Sequence, residues 1–405
     1  MPPSDHPVTR DAAQARLQAF VPHAGADYAM GRNADHGPGH HDAVSRLSAA
    51  LRRRVVTEID VLTPVLAAHG LGAAAFAREV FWRTYFKGWL EARPGIWFSW
   101  LAALEQIDAG IASDHALAAR HTAALRGETG IACFDHWMTE LDQTGYLHNW
   151  ARMQFASIWT FTLGLPWELG ARAMFARLID ADPASNTLSW RWVAGLHTQG
   201  KAYLADPELI AQMTRGRFDP TGLATHAAIP DEPPPPPAAL PRAVIAPAPD
   251  APTLVWITPD DCALETEPAL AQLPVRAVVI VDRHDDPAGH GARADRLALD
   301  DALARAARHW NVTGYCVTEP TAIAALATDI GATQVMTGRI AIGPGLDALN
   351  AARAALSEAG IVLAEHWRAW DVAAWPHATR GYFKLRGKIP HLLDLAGLTV
   401  GKTPQ

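Results

Sequence analysis

Cysteine is scarce in this 405-residue chain. The three present, Cys133, Cys262 and Cys316, stand far apart and form no CxxC pair. That excludes a disulfide framework and provides no spacing for a zinc or iron–sulfur centre; a reducing cytoplasm is the compartment it implies. No apolar run approaches the roughly 18 residues that span a bilayer, and the opening MPPSDHPVTRDAAQ lacks the apolar stretch of a signal peptide. Neither a membrane association nor signal-directed export is expected. Positive charge is also in deficit: a formal net charge of −7 argues against a protein that coats nucleic acid indiscriminately, while leaving room for a local basic patch. Tyrosine is rare, with six against fifteen tryptophans. The tryptophans gather between Trp82 and Trp192, with a further group near the carboxy terminus, and such clustering asks for a local cause.

Proline is concentrated in one place. Residues 230–252, PDEPPPPPAALPRAVIAPAPDAP, hold ten of the thirty prolines, a composition that favours extended chain over packing and marks a linker. It divides the chain into residues 1–229, 230–252 and 253–405. The first part has apolar residues at mixed three and four spacing, as in AFAREVFWRTYFKGWLEA and NWARMQFASIWTFTLG, and is expected to be all-helical. In the last part, β-rich runs such as TLVWIT, AVVIVD, TQVMTG and IVLAEHW alternate with Ala-rich helical segments. This predicts a Rossmann-like parallel α/β domain. No GxGxxG follows its first strand, so the ordinary dinucleotide fingerprint is absent.

Chemistry is concentrated in the helical part. In ASNTLSWRW a helix places Asn186 and Trp190 on one face and turns Trp192 away from them; taken alone, the two indoles read as core. SRLS at 45–48 opens a helical run and offers hydroxyl and backbone N–H groups to an anion, or serves as an ordinary cap. HGPGHH at 36–41 has histidines without ligand spacing and reads as a plain loop, so no metal is expected. In order along the chain stand Y28-x-x-x-R32, SRLS from Ser45, E79-V-F-W82-R83, T129-G130-x4-D135 leading to TGYLHNWARM, and LIDADPASNTLSWRW from Leu178 to Trp192. Over residues 28 to 220 this succession resembles the flavin-binding domain of the photolyase and cryptochrome family.

The resemblance implies FAD, with Tyr28, Ser45, Arg46, Leu47 and Ser48 on its diphosphate; Val44 stands where many relatives have a hydroxyl. Arg83, Arg152, Asp180 and Asp182 complete the cofactor set, Arg152 and Asp180 as a buried ion pair beside the isoalloxazine, and Asn186 faces flavin N5. Trp190 and Trp167 match the first two tryptophans of the family's electron-transfer chain, with Trp97 or Trp100 as the third. Trp82 and Trp192 wall a lesion slot, with Glu79, Asn149 and Met153 at its remaining positions. Trp150 replaces the first arginine of the HNR-x-R pattern, which touches DNA phosphate in repair enzymes; Arg32, Arg191, Arg215 and Arg217 are the substitute charges. The implied activity is a carbon–carbon lyase reaction, the blue-light-driven splitting of cyclobutane pyrimidine dimers by electron transfer from reduced FAD, with single-stranded damaged DNA preferred over duplex. The alternative is a cryptochrome-like photoreceptor acting on a signalling partner.

In the last part, TLVWITPDDCALETEPAL at 253–270 and WPHATRGYFKLRGKIP at 375–390 resemble the opening and closing segments of the family's antenna domain. Here that domain follows the flavin domain, as in a circular permutation. Its arginine-rich signature is reduced to ITPDD, which leaves an antenna chromophore of folate or deazaflavin type without its usual mark.

Overall fold

The mixed three and four spacing of the first part becomes helix throughout. This computed structural model describes residues 6–282 and 289–398, so the outer limits of both sequence-assigned domains lie outside the described residues. The helices are α1 (Arg10–Phe20), α2 (Ala26–Gly31), α3 (Ser48–Arg52), α4 (Glu58–His69), α5 (Ala74–Glu91), α6 (Gly95–Ile111), α7 (His115–Arg126), α8 (Ala132–Thr144), α9 (Asn149–Ser157), α10 (Trp167–Arg177), α11 (Pro183–Val193) and α12 (Pro207–Met213). Their ends follow from local chemistry. Thr57 and Asp60 cap α4 reciprocally, each side chain accepting the other's backbone N–H. Asp182 caps α11 by accepting from Ser185 N at 2.8 Å, and Pro183 supplies a first-turn residue with no N–H to satisfy. The segment Glu58–Glu91 is apolar and long enough by composition to cross a membrane. It is broken, however, into α4 and α5 by a 3₁₀ turn at Gly70–Ala73, and α5 is buried on most of its faces, with Phe76, Phe81, Tyr85 and Trp89 in the core.

After the linker, β1 (Thr253–Ile257), β2 (Val275–Val281), β3 (Thr313–Val317), β4 (Gln334–Gly338) and β5 (Val362–His366) form one parallel sheet in the order β3-β2-β1-β4-β5. The central strands β1 and β4 are buried along their whole length, as expected for parallel strands covered on both faces. The covering helices are α13 (His290–Trp310), α14 (Ala322–Asp329) and α15 (Gly345–Glu358). An all-helical domain followed by a Rossmann-like α/β domain is thus the fold.

The two parts are bound together more closely than a proline linker suggests. The linker is pinned along its length: Glu232 accepts from Trp167 Nε1 at 2.7 Å and pairs with Arg191 at 2.6 Å, Ala239 N donates to Ala92 O, and Arg242 forks onto Glu365. Beyond the sheet, α16 (Ala369–Ala374), α17 (Tyr382–Arg386) and α18 (Ile389–Leu395) follow. Of these, α16 and α17 return to α5. Trp370 Nε1 donates to Thr84 Oγ1 at 3.0 Å. Trp375 lies so close to Gly88 that a Cβ there would come within 2.7 Å of the indole, which is why α5 carries glycine at that point.

Buried arginines complete the junction. Arg53 and Arg54 follow α3, and Arg54 Nη2 reaches both oxygens of Asp371 at 2.7 Å. Arg339 Nη2 donates to Glu91 Oε2 at 2.9 Å, Ile342 N donates to Glu91 Oε1 at 2.8 Å, and the guanidinium lies 4.3 Å from the Trp367 ring centre. Arg339→Ala leaves the Glu91 carboxylate buried without its cation and is expected to cost about 3–5 kcal/mol. The paired apolar replacement Glu91→Leu with Arg339→Met should recover most of that loss, both read from urea denaturation.

A buried histidine gives a pH signature. His197, just beyond α11, lies 3.0 Å from the Tyr85 hydroxyl and packs on Trp89. Burial, reinforced by Arg191 and Arg93, lowers it to about 4. The folded protein therefore holds this ring neutral where the unfolded chain takes up a proton, so stability is full above pH 6.5 and falls as pH drops towards 4. The loss amounts to about 3 kcal/mol from this ring at full protonation. His197→Gln, which does not titrate, should flatten the pH dependence of the urea midpoint in that window.

Candidate functional site

Three helices carry the site. Asp182 both caps α11 and meets Arg83 on α5 in a close ion pair. Arg83 Nη2 also lies 3.6 Å from Asp180, and Arg152 on α9 approaches the same Asp180 oxygen at 3.4 Å. The pair expected from sequence, Arg152 with Asp180, is therefore one edge of a four-residue chain, Arg152–Asp180–Arg83–Asp182. Burial opposes ionisation of Asp180, but Arg152, Arg83 and Arg53 outweigh it and hold the carboxyl below its ordinary value. Asp182 is likewise depressed: burial is outweighed by Arg83 and the Ser185 N–H. Ala181 between them has φ +38°, a left-handed backbone that an alanine holds only under constraint.

Asn186 sits one turn into α11, buried, with Nδ2 donating to Ala171 O at 2.9 Å. That bond commits the amide nitrogen and leaves Oδ1 as a buried acceptor with no partner among the described residues. Asp180 Oδ1, Ser48 Oγ and the indole N–H of Trp190 are also buried and have no partner among the described residues. Such orphaned groups are costly in a closed core, and a mixed set of donors and acceptors fits a large polar cofactor. In SRLS, Arg46 has φ +57° and pairs with Asp42 at 2.9 Å, Leu47 is fully buried, and Ser45 O accepts from Arg16 at 2.9 Å. The helix that Ser48 opens is only five residues long. Tyr28 is buried against Phe20 and Phe76; burial and the nearby Glu79 push its hydroxyl above the ordinary range.

No motif or spacing pointed to His6. Its ring stacks on Tyr146 at 4.2 Å, and the charges it feels are Arg46, His41, Asp180 and Arg152. The amino-terminal segment therefore reaches the residues assigned to the cofactor. Burial foremost, then Arg46, lowers His6 to about 3, so the ring is neutral.

The tryptophans divide. Trp190 is buried edge-on to Trp159 at 6.2 Å and Phe155 at 6.4 Å, and its far edge fills the space that a Cβ at Gly170 would need. Trp159, in the π-helical turn Ile158–Thr162, is a neighbour that sequence spacing did not single out. Trp167 opens α10, tied to Glu232 with Arg191 over its ring at 5.5 Å. Trp97 and Trp100 lie 4.9 Å apart, Trp100 Nε1 donating to Glu168 O at 3.2 Å. Both are buried, so neither is the exposed end of a chain.

At the expected lesion slot each indole carries a tyrosine of its own chain. Trp82 is stacked on Tyr382 of α17, centroids 3.5 Å apart and planes 11° from parallel; Trp192 lies tilted against Tyr203 at 5.5 Å. Glu79 is in a close ion pair with Arg32. Its carboxyl is raised by burial, with Arg32 pulling the other way. Met153 is half-buried and Asn149, opening α9, is exposed. Trp150 is a correction. The position read as phosphate-facing is 4% exposed, with the indole edge-on to Trp137 at 6.3 Å. Of the substitute charges, Arg191 is buried on Glu232 and Arg217 is paired with Asp35.

Residues 76–232 match the family model of the FAD binding domain of DNA photolyase. A deoxyribodipyrimidine photo-lyase of Streptomyces griseus is 35% identical over 173 residues, 42% of this chain and 36% of that protein. A cryptochrome DASH of Gloeobacter violaceus is 34% identical over 125 residues, 31% of this chain and 24% of that one. Among solved structures, a bacterial class III photolyase from Agrobacterium tumefaciens is 27% identical with a TM-score of 0.42, covering 51% of this chain and 43% of that chain. The chain thus aligns with less than half the length of each of these three relatives. The helical part of the chain is thus similar, over residues 76–232, to the FAD binding domain of DNA photolyase, and the relatives it resembles are named photolyases and cryptochromes.

Proposed function

We propose that this protein is a FAD-dependent, blue-light-driven lyase that splits cyclobutane pyrimidine dimers in DNA, acting in the reducing cytoplasm on single strands in preference to duplex. The observation that carries this reading is the buried chain Arg152–Asp180–Arg83–Asp182 leading onto Asn186, whose amide oxygen is free to accept while its nitrogen is engaged. Reduced FAD bound there would supply the photoexcited electron that opens the dimer. The protein's part is electrostatic. The two carboxylates stay ionised between arginines, Asn186 presents a neutral acceptor towards the cofactor, and Trp190, on the same face of α11, carries an unpartnered indole N–H. Glu79, protonated to higher pH than an ordinary glutamic acid, would donate a hydrogen bond to a pyrimidine carbonyl once Arg32 is displaced.

A second reading, a photoreceptor without repair activity, is favoured by one observation: Tyr382 lies flat on Trp82, where a base would stack. A single experiment separates the two. Chemically reduced protein is illuminated with an oligonucleotide containing one thymine dimer, and restored thymine absorbance is followed. Repair predicts cleavage by the wild-type protein, tighter lesion binding by Tyr382→Ala, and a yield that falls as pH rises through the raised value of Glu79. Glu79→Gln, a donor at every pH, should flatten that profile. No cleavage by either the wild type or Tyr382→Ala, with FAD retained, would discard repair in favour of the photoreceptor.

Trp150 gives an independent prediction. An arginine in its place would be a buried charge without a partner. Trp150→Arg is therefore expected to lower stability by about 3 kcal/mol or more, measured by urea denaturation, with no gain in affinity for undamaged duplex.

A further inference from the structure

The loop HGPGHH has no ligand spacing of its own because the groups that complete it lie elsewhere. Asp35, just before it, and His41, at its end, both turn inward and meet Glu140 on α8. All three are buried, and each offers a ligand atom within 4.8 Å of the other two. His41 Nε2 stands 2.8 Å from Glu140 Oε1. Two ligands about 2.1 Å from one first-row cation and at right angles to each other are about 3.0 Å apart, so this edge opens onto an ion with little movement.

The bonding of the three side chains is incomplete. Among the described residues, Glu140 Oε2 and His41 Nδ1, both buried, have no hydrogen-bond partner. A carboxylate with one bare oxygen in the core is costly unless positive charge meets it, and among the described residues the ion partner of Glu140 is the His41 ring. Asp35 is held in place by Gly37, Trp137 and Arg217. Its Oδ1 accepts from Gly37 N at 3.0 Å, while Oδ2 takes Trp137 Nε1 at 2.8 Å and lies 3.2 Å from Arg217. Of about four lone-pair directions on a carboxylate, one on Oδ1 is left. His148, stacked on His41 at 5.6 Å, does not join the set. Its Nδ1 accepts from Trp150 N at 3.3 Å, which keeps its proton on Nε2. A cavity of about 330 Å³ lined by His36, His40, Asp42, Thr214, Arg215 and Arg217 adjoins the same loop.

We propose that Asp35, His41 and Glu140 bind one divalent first-row transition cation, with water filling the remaining positions. One imidazole and two carboxylates without sulfur suit Zn²⁺, Mn²⁺ or Fe²⁺ and disfavour Cu⁺. On binding, a neutral His41 carries its proton on Nδ1 and presents the Nε2 lone pair. The ion clamps the loop to α8 four residues before SRLS, so its role is structural, and the inference is independent of the flavin reading.

The test uses the full-length protein. Its metal content as purified is measured by elemental analysis; the protein is then stripped by dialysis against a chelator and titrated calorimetrically with Zn²⁺ and with Mn²⁺. One equivalent per chain is expected, with a rise in thermal midpoint on binding, and an affinity weakened more than about 100-fold in both His41→Ala and Glu140→Gln. Circular dichroism of the metal-free variants checks that each is folded, and Asp35→Asn serves where either of them is not. Absence of saturable binding by the stripped wild type, or one equivalent retained at unchanged affinity by folded ligand variants, would overturn the assignment.

Discussion

The arrangement depends on one buried cation. The Arg53 side chain has no exposed surface, and its guanidinium reaches in four directions: to Ala49 O at 3.2 Å, Ile179 O at 2.9 Å, Gly291 O at 3.0 Å and the Asp295 carboxylate at 2.6 Å. Those acceptors belong to the short helix after SRLS, to the residue before Asp180, and to α13 of the α/β domain. A guanidinium taken out of water is tolerable only when its fork of donors is met, so these three segments hold their positions together. Asp180 is thereby placed for Arg152 and Arg83, and the second domain is made a wall of the first.

The site built on this frame alternates in sign. Arginine and carboxylate follow one another from Arg152 to Asp182, then charge stops and Asn186 follows. Charges held among fixed partners in a poorly solvated interior act at full strength and need no rearrangement when charge shifts nearby. The neutral amide at the end of the row does different work. It offers a single acceptor in a direction set by its bond to Ala171, the kind of group that reads the protonation of a neighbour without imposing a charge on it.

What the sequence made legible was whatever local periodicity governs. The helical part, the parallel sheet, and Asn186 and Trp190 on one helix face followed from spacing, and the nearness of Arg152 to Asp180 from the family resemblance. What it concealed depends on partners far along the chain. Trp150 is inside because Trp137 is there to receive it, and Trp82 is covered because Tyr382, 300 residues later, returns to α5. The proline segment reads as free linker because composition says nothing of Glu232 finding Trp167 and Arg191. Histidines in a Gly/Pro loop look idle until Glu140 comes up beneath them.

The placement of Tyr382 has a consequence in time as well as in space. A ribosome makes the helices bearing Glu79, Trp82, Arg152 and Asn186 long before it makes α17, and domains that emerge first can begin to fold first. During that interval Trp82 is bare. A nascent chain therefore passes through a stage at which Trp82 stands uncovered, and only once α17 is made does Tyr382 close over it.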